Sequence, residues 1–428
     1  MKVVSLEENK TIFERNASLL LRPASTMKLF TSASALLALD TGYVFRTSVF
    51  GKIDTDSVWT LCIRGGADPL FAEKDIQKWV ENISALGVKH VRSILLDASL
   101  LDSLYWGKGW MWDDEPFADQ PFLSAFPIEH NAIQVTARAE KSSKKVEVRL
   151  SPDWDVFRVE NTSSISAEKN LTITREHETN TIRISGSLPS GQEQTAELSM
   201  WNTPTIVHNR IVTLLRSAGI SILNDTALFV SLPTDFSLLA ESTHRISSIL
   251  TYMNKESDNL SAELLLKTLA SRVKKHHWDA RSGLHVMKTM LASLHVDTTQ
   301  LELADGSGLS FYNLVAVDAV TALLAGMWKS PYFEAWKKTF AIGGIDGTLK
   351  KRLRSVDGAQ YVFAKTGTIS GVSNIAGYIL PPDGSPLAFV MYMQNYGGKY
   401  APYRQVQDEM ISHLIRYSRS RAAVKHSR

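Results

Sequence analysis

The sequence predicts a mixed α/β (α+β) protein in which helices flank an antiparallel sheet and a long strand-rich stretch interrupts them. Three observations carry this reading. Apolar residues recur at helical spacing just after Pro23 and again in several runs after Ser242. Between about residues 45 and 236 the texture changes, with short strands separated by polar turns. Two strongly apolar strands, 375–379 and 387–393, then meet at the turn Pro381-Pro382-Asp383-Gly384, a hairpin in a sheet that already has helices around it.

Each element follows from local chemistry. Residues 3–14 read as a hairpin, turning at Glu7-Glu8-Asn9-Lys10. Met27, Phe30, Ala33, Leu37 and Ala38 mark a helix that begins near Ala24, since proline is well tolerated at a helix start. Residues 58–63 and 93–96 look like strands and 75–86 like a helix. An aromatic, glycine-punctuated loop at 105–112 carries Trp106, Trp110 and Trp112, expected as a packed loop core rather than a sugar platform. Strands at 146–150, 171–174 and 182–184 form a small β-rich module, and 204–218 is helical. The later helices are 246–253, 260–274, 283–293 and 315–329. The tail bearing Arg416, Arg419, Arg421, Lys425 and Arg428 is expected to be a frayed, solvated terminus, the alternative being weak attraction to an anionic membrane surface.

Composition removes several classes. The chain has 428 residues, 44% hydrophobic and 21% charged, which excludes a disordered chain, a collagen and a disulfide-stapled miniprotein. A net charge of +3 gives no reason to expect nucleic acid. The lone Cys62 permits neither an intrachain disulfide nor a cysteine-based metal site, and reads as a small core residue. The best apolar run, 314–328, carries Asp318 and is shorter than the roughly 20 residues a membrane span needs. Residues 1–5 lead into a charged, strand-like segment rather than an apolar leader, so an exported form is expected to carry its leader outside this chain.

Three short motifs carry chemistry. In Ser25-Thr26-Met27-Lys28 the serine and lysine share one helix face, one turn apart. A helix N-terminus favours a developing alkoxide, and a desolvated lysine can act as base. Ser-x-x-Lys also occurs at 142–145, 166–169 and 271–274, but only the first follows a proline into an apolar helix. In Ser257-Asp258-Asn259 a hydroxyl and an amide point into a cleft from a turn, or the segment is simply the N-cap of the helix after it. In Lys365-Thr366-Gly367-Thr368 a lysine and threonines on an edge strand receive a carboxylate while the glycine admits a substrate backbone, or the segment is a plain strand start. Ser-x-Asn and Lys-Thr-Gly each occur once. Other chemistries lack their signature: Gly306-Ser307-Gly308 has the wrong spacing for a nucleophile elbow, and no His-Glu-x-x-His is present. His276-His277 read as surface residues, and Asp68 and Asp346 as turn residues.

Together, in this order, the motifs resemble the set shared by penicillin-binding proteins and class A β-lactamases. The chain is more similar to the low-molecular-mass class C penicillin-binding proteins, the D-Ala-D-Ala carboxypeptidase/endopeptidase family S13, and the resemblance covers nearly its whole length. Phe13-Glu14-Arg15-Asn16-Ala17 leading to the segment Arg22-Pro23-Ala24-Ser25-Thr26-Met27-Lys28 resembles the family's opening motif. Gly65-Gly66-Ala67-Asp68-Pro69 and Gly109-Trp110-Met111-Trp112-Asp113-Asp114, followed by Ser124-Ala125 and Asn131, resemble its inserted-domain signatures. Asp305-Gly306-Ser307-Gly308-Leu309-Ser310 and Gly344-Ile345-Asp346-Gly347-Thr348-Leu349 are similar to two later blocks.

The resemblance implies a penicillin-binding-protein/β-lactamase-like transpeptidase domain made of 1–45 and 240–428. Two strand-rich domains would be inserted: domain II (46–140 and 201–239) and, within it, domain III (141–200). About 230 positions separate Ser25 from Ser257, more than one helical lobe needs. It further implies a serine DD-peptidase acting on peptidoglycan stem peptides and acylated by β-lactams, in the periplasm or otherwise outside the cytoplasm. Ser25 would be the nucleophile, Lys28 the general base, Ser257 the proton relay and Asn259 a peptide-binding and lysine-positioning group. Lys365, Thr366 and Thr368 would hold the terminal carboxylate beside Gly367, with no metal and no cofactor. The alternatives are a β-lactamase-like hydrolase and a catalytically silent, penicillin-recognising scaffold.

Overall fold

The computed structural model describes residues 1–54, 56–140 and 145–426, with side chains to residue 421. It divides into two compact units. The first comprises Met1–Val44, Gly107–Gly109 and Arg245–Arg428, the second Phe45–Trp106 and Trp110–His244.

In the first unit the chain opens as the expected hairpin, β1 (Lys2–Ser5) and β2 (Lys10–Glu14), then forms α1 (Met27–Leu39). After the second unit come α2 (Ile246–Glu256), α3 (Asn259–Leu269), α4 (Ala280–Ser293) and α5 (Val317–Trp328). The strands β3 (Ala341–Ile342), β4 (Val362–Ile369), β5 (Val372–Ile379) and β6 (Leu387–Gln394) and a terminal helix, α6 (Ala401–His426), complete it. The sheet runs β2-β1-β6-β5-β4-β3 and its pairings are antiparallel.

Every residue of β5 is buried, because helices cover both faces of the sheet. Ile375, Ile379, Leu387, Phe389 and Met391 point to one face, where Ile411 and Ile415 of α6 join them. On the other face the buried Tyr378 hydroxyl donates to the Leu324 carbonyl of α5 (2.7 Å). Residues 27–36 of α1 are buried without a break, which is why the apolar positions of that helix wrap all round it.

The tail departs from expectation. From 401 onward the chain is helical, with Gln407, Ile411, Ile415 and Ser418 all buried on one face. Two of these positions are polar, which hides the apolar stripe, but each has a partner. Gln407 Nε2 donates to the Ser373 carbonyl and Ser418 Oγ to that of Ser385. Arg419 pairs with Asp357 and Asp383, and Arg421 with Glu8. Lys425 and Arg428 lie outside the residues whose side chains are described. Among the described residues no helix is long and apolar enough to cross a membrane.

The second unit contains a mixed sheet in the order Ser221–Ile222, His90–Asp97, Trp59–Arg64, Val44–Ile53, Ser237–Arg245. The helices Glu73–Ala85 and Thr203–Ser217 pack on each other. An antiparallel three-stranded sheet (Glu193–Ser199, Ala132–Arg138, Glu147–Ser151) and a mixed one of Thr172–Arg175, Thr181–Ser185 and Arg158–Asn161 supply the strand-rich texture. Residues 141–144, with which the expected small domain begins and which include Ser142 of one extra Ser-x-x-Lys, lie outside the described residues. Cys62 is buried in a strand. Of the tryptophans, Trp106 packs among Tyr105, Phe122 and Trp201, whereas Trp112 is 74% exposed and stacks on His177. Asp68 does more than turn the chain. Fully buried, it accepts from Leu70 N and pairs with His244, whose imidazole pKa it raises.

Candidate active site

The approach to α1 is strained. Ala24 sits at φ +45°, a left-handed conformation that costs a residue with a Cβ on the order of 1–3 kcal/mol. The helix predicted from Ala24 therefore begins as a 3₁₀ turn, Ala24–Thr26, and becomes α-helical only at Met27. Thr26 Oγ1 donates to the Pro23 carbonyl (2.7 Å) and meets the Tyr392 hydroxyl, which ties this turn to β6. Ser25 is left half-exposed at the head of the helix, while Lys28 behind it has no exposed surface.

Lys28 Nζ donates to Ser25 Oγ (3.0 Å), Asn259 Oδ1 (2.6 Å) and the Ser307 carbonyl (2.9 Å). The first motif thus touches the second directly. The Ser307 carbonyl is held from behind. Buried Glu263 on α3 accepts from Gly306 N (3.0 Å) and Ser307 N (2.7 Å), and Asp305 accepts from Gly308 N, Ser310 N and Asn313 Nδ2. Burial and the neighbouring Asp305 carboxylate push the Glu263 carboxyl upward, while the two backbone N–H groups pull it the other way. Gly308, at φ +85°, has no room for a side chain, since a Cβ would stand 1.9 Å from the Ala24 carbonyl oxygen. Gly308 thus lets the loop lie against the start of α1, and Gly306 lets it lie against α3, where a Cβ would stand 2.7 Å from the Ala262 carbonyl oxygen.

The second motif serves both readings offered for it. Asp258 is an N-cap, its carboxylate accepting from Ser261 N (2.7 Å), while Ser257 at φ +67° and Asn259 face the two lysines. Lys365 Nζ donates to Ser257 Oγ (2.8 Å) and to the Thr366 carbonyl (2.9 Å). Lys365 is as fully enclosed as Lys28. Burial first, and then the charge of Lys28, pushes its pKa well below that of a free lysine.

On β4, the neighbouring β3 pairs only with Phe363 and Ala364, so among the described residues no strand pairs with that edge from Lys365 onward, and the first exposed residue along it is Thr368. Thr366 Oγ1 donates to Thr348 Oγ1 (2.9 Å), and the exposed Thr368 hydroxyl accepts from Arg404 (3.1 Å). The space at Gly367 is used by the protein itself. A Cβ there would lie 2.7 Å from the Pro23 carbonyl oxygen, 3.0 Å from Thr26 N and 3.1 Å from Ser25 N. The glycine thus lets β4 lie against the turn that carries Ser25. Of the remaining Ser-x-x-Lys matches, Ser166 and Lys169 are both exposed and Lys274 pairs with Asp279. Among the described residues no group of three or more His, Cys, Asp or Glu side chains stands close enough to hold a metal ion.

Sequence reasoning named no role for the Ser307 carbonyl, Glu263, Thr348 or Arg404. The dense glycines of 305–310 were a signal for the loop. Nothing local marked Arg404.

A half-exposed serine one turn ahead of a buried lysine, with a second pair made by Ser257 of the turn between two helices and Lys365 of the strand β4, defines an active-site-serine enzyme of the penicillin-recognising class. The sequence matches the D-Ala-D-Ala carboxypeptidase 3 (S13) family over residues 1–416, and the chain belongs to that family. It is 32% identical to the D-alanyl-D-alanine carboxypeptidase of Actinomadura sp. (strain R39), over 97% of this chain and 81% of that protein. It is 27% identical to the D-alanyl-D-alanine carboxypeptidase DacB of Haemophilus influenzae, over 96% and 90%. The crystal structure of penicillin binding protein 4 (dacB) from H. influenzae superposes with a TM-score of 0.85 at 26% identity, covering 97% of this chain and 95% of that one. The same protein complexed with a β-lactam gives 0.79. The fold is therefore that of a penicillin-binding protein with extra domains, and the protein is a serine-type D-Ala-D-Ala carboxypeptidase.

Proposed function

We propose that Ser25 is the acylated nucleophile and Lys28 its base. The observation that carries this is the set of contacts at Lys28 Nζ. With two N–H bonds given to Asn259 Oδ1 and the Ser307 carbonyl, the lone pair of the neutral amine faces the Ser25 hydroxyl. Ser25 Oγ gives its proton to Lys28 and attacks the carbonyl between the two terminal D-alanines. The backbone N–H groups of Ser25 and Thr368 receive the oxyanion, each donor typically worth about 3–4 kcal/mol. The proton reaches the departing amine by way of Ser257, D-alanine leaves, and water then resolves the ester so that Ser25 and Lys28 return to their starting states. Asn259 keeps Lys28 aimed through Oδ1 and binds the substrate peptide. Thr366 and Thr368 receive the terminal carboxylate at the open edge of β4, beside Lys365. The same attack on a β-lactam ring leaves an acyl group on Ser25, and the H. influenzae relative complexed with a β-lactam supports that step.

The substrate class places the enzyme's work on cell-wall stem peptides, outside the cytoplasm. We take the inserted region to be two domains, with 141–200 the smaller. The sheet of Thr172–Arg175, Thr181–Ser185 and Arg158–Asn161, which lies wholly within 141–200, supports that reading, whereas the other three-stranded sheet takes its central strand, Ala132–Arg138, from before that boundary.

The test is labelling with fluorescent penicillin followed by mass mapping of the adduct. A persistent adduct on Ser25, together with D-alanine release from a D-Ala-D-Ala peptide, is expected. Label on another residue would refute the site, and rapid penicillin turnover without a trapped adduct would favour a β-lactamase.

A further inference from the structure

Lys365 is poorly placed to give a substrate carboxylate its charge. Its ammonium has no exposed surface and donates to two groups of the protein itself, Ser257 Oγ and the Thr366 carbonyl. The permanent charge nearest the open strand edge comes from elsewhere in the fold. Arg404, in the first turn of α6, donates from Nη2 to Thr368 Oγ1 at 3.1 Å. Its guanidinium lies over the Tyr400 ring, 3.9 Å from the centroid, and its own N–H bonds the Tyr400 carbonyl. Its carbonyl accepts from Arg352. Among the described residues no carboxylate pairs with Arg404, in contrast to Arg352, which holds Asp408, and to Arg419 and Arg421 further along the helix. A guanidinium has five donors, and the Thr368 hydroxyl and the Tyr400 side chain leave most of them over. By accepting from Arg404, the Thr368 oxygen also turns its own hydrogen outward, where an anion can take it.

We propose that Arg404 is a specificity-determining residue, which with the Thr368 hydroxyl reads the free terminal carboxylate of the substrate. This rests on the DD-peptidase reading of the site. Arg404 supplies the fixed charge and a planar fork suited to a carboxylate, and Lys365 remains an internal group serving Ser257. The groups facing Arg404 are Tyr396, Tyr400 and Arg352, and burial raises the Tyr396 phenol above its ordinary value.

The experiment compares release of D-alanine from a D-Ala-D-Ala peptide with release of D-alaninamide from its C-terminal amide, in the wild type, Arg404→Met and Arg404→Lys. The acid-to-amide ratio of kcat/KM is the readout, because it is independent of how much variant protein is folded. The wild type should favour the acid by about 10- to 100-fold, a range set by about 1.4 kcal/mol per decade. Arg404→Met should lower the ratio at least tenfold. Arg404→Lys should fall between, keeping charge without the fork. The wild-type ratio should also stay flat from pH 6 to 9. An unchanged ratio in Arg404→Met would overturn the proposal, as would a wild-type ratio that falls with pH, which would return the charge to Lys365. If the wild type cleaves neither peptide and forms no adduct at Ser25, the DD-peptidase reading fails and this proposal with it. An adduct at Ser25 with an unchanged ratio in Arg404→Met sinks the proposal alone.

Discussion

Lys28 and Lys365 are both sealed from solvent and each donates to a serine, yet they sit in different surroundings. Lys28 meets acceptors from α3 and from the 305–310 loop, and that loop is itself fixed by two buried carboxylates. Lys365 meets a hydroxyl and the carbonyl of its own neighbour on the strand. One amine is aimed by three elements of the fold, the other by one strand and one turn. The difference teaches that spacing alone does not make a base. A catalytic amine needs its hydrogens assigned to fixed acceptors so that the remaining direction points at the nucleophile.

The sharpest way to break this comparison is to delete each amine. Lys28→Ala should lower the rate of acylation of Ser25 by penicillin on the order of 10³-fold or more, the scale of a lost general base acting at a covalent centre. Lys365→Ala should cost distinctly less, because Ser25 and its base remain intact. Equal losses in stopped-flow acylation would mean that the two amines act as one unit.

Asn259→Ala tests the aiming itself. It leaves one Lys28 hydrogen without its 2.6 Å acceptor in a buried site, a loss of about 1–3 kcal/mol. Acylation should slow by about 10- to 100-fold while the fold, read by circular dichroism, is retained. Wild-type rates in this variant would show that the Ser307 carbonyl suffices to orient the amine.

Gly367→Ala should then damage the strand side through packing alone. Its new Cβ would meet backbone atoms of residues 23–26, which can yield only by moving the nucleophile turn. Overpacking of this kind typically costs about 1–3 kcal/mol, measured as a lower denaturation midpoint, and acylation should slow with it. Unchanged stability would mean that β4 can draw back from α1 freely.

The motif residues were legible because each pairing is written in side chains at short spacing: Ser25 with Lys28, Ser257 with Asn259, Lys365 with its threonines. What stayed hidden had no such mark. Ser307 contributes a carbonyl, which any residue owns, so the sequence block 305–310 could be recognised without revealing that it faces Lys28. Arg404 reaches Thr368 only because α6 folds back on the sheet, and α6 was obscured by two polar residues, Gln407 and Ser418, on its buried face. The helix does begin at Ala24, but its first turn is 3₁₀, which helical propensity does not report. The hairpins and the apolar β5 and β6 were plain, since burial on both sheet faces leaves near-continuous hydrophobic runs.

The smallest expected effect concerns stability against pH. Burial and the Lys28 charge hold the Lys365 pKa below its unfolded value of about 10.4. Between the folded pKa and that value the unfolded chain binds one proton more than the folded one. The native state therefore gains on the unfolded state as pH rises through this window, and below it Lys365 carries its full, constant cost. Lys365→Met keeps the length of the side chain and removes the titration. The stability of wild type minus that of Lys365→Met should therefore become more favourable to wild type as the buffer goes from pH 7 to pH 10. The slope has a ceiling of about 1.4 kcal/mol per pH unit, the value for a single proton. Taking the difference between two proteins cancels the titration of the lysines that do not face Lys365, which leaves only its neighbour Lys28 coupled to the substitution. Urea denaturation at four pH values measures it. A difference that is flat, or that falls with pH, would mean that Lys365 keeps an ordinary lysine's charge in the folded state, and the contrast between the two amines would lose its electrostatic half.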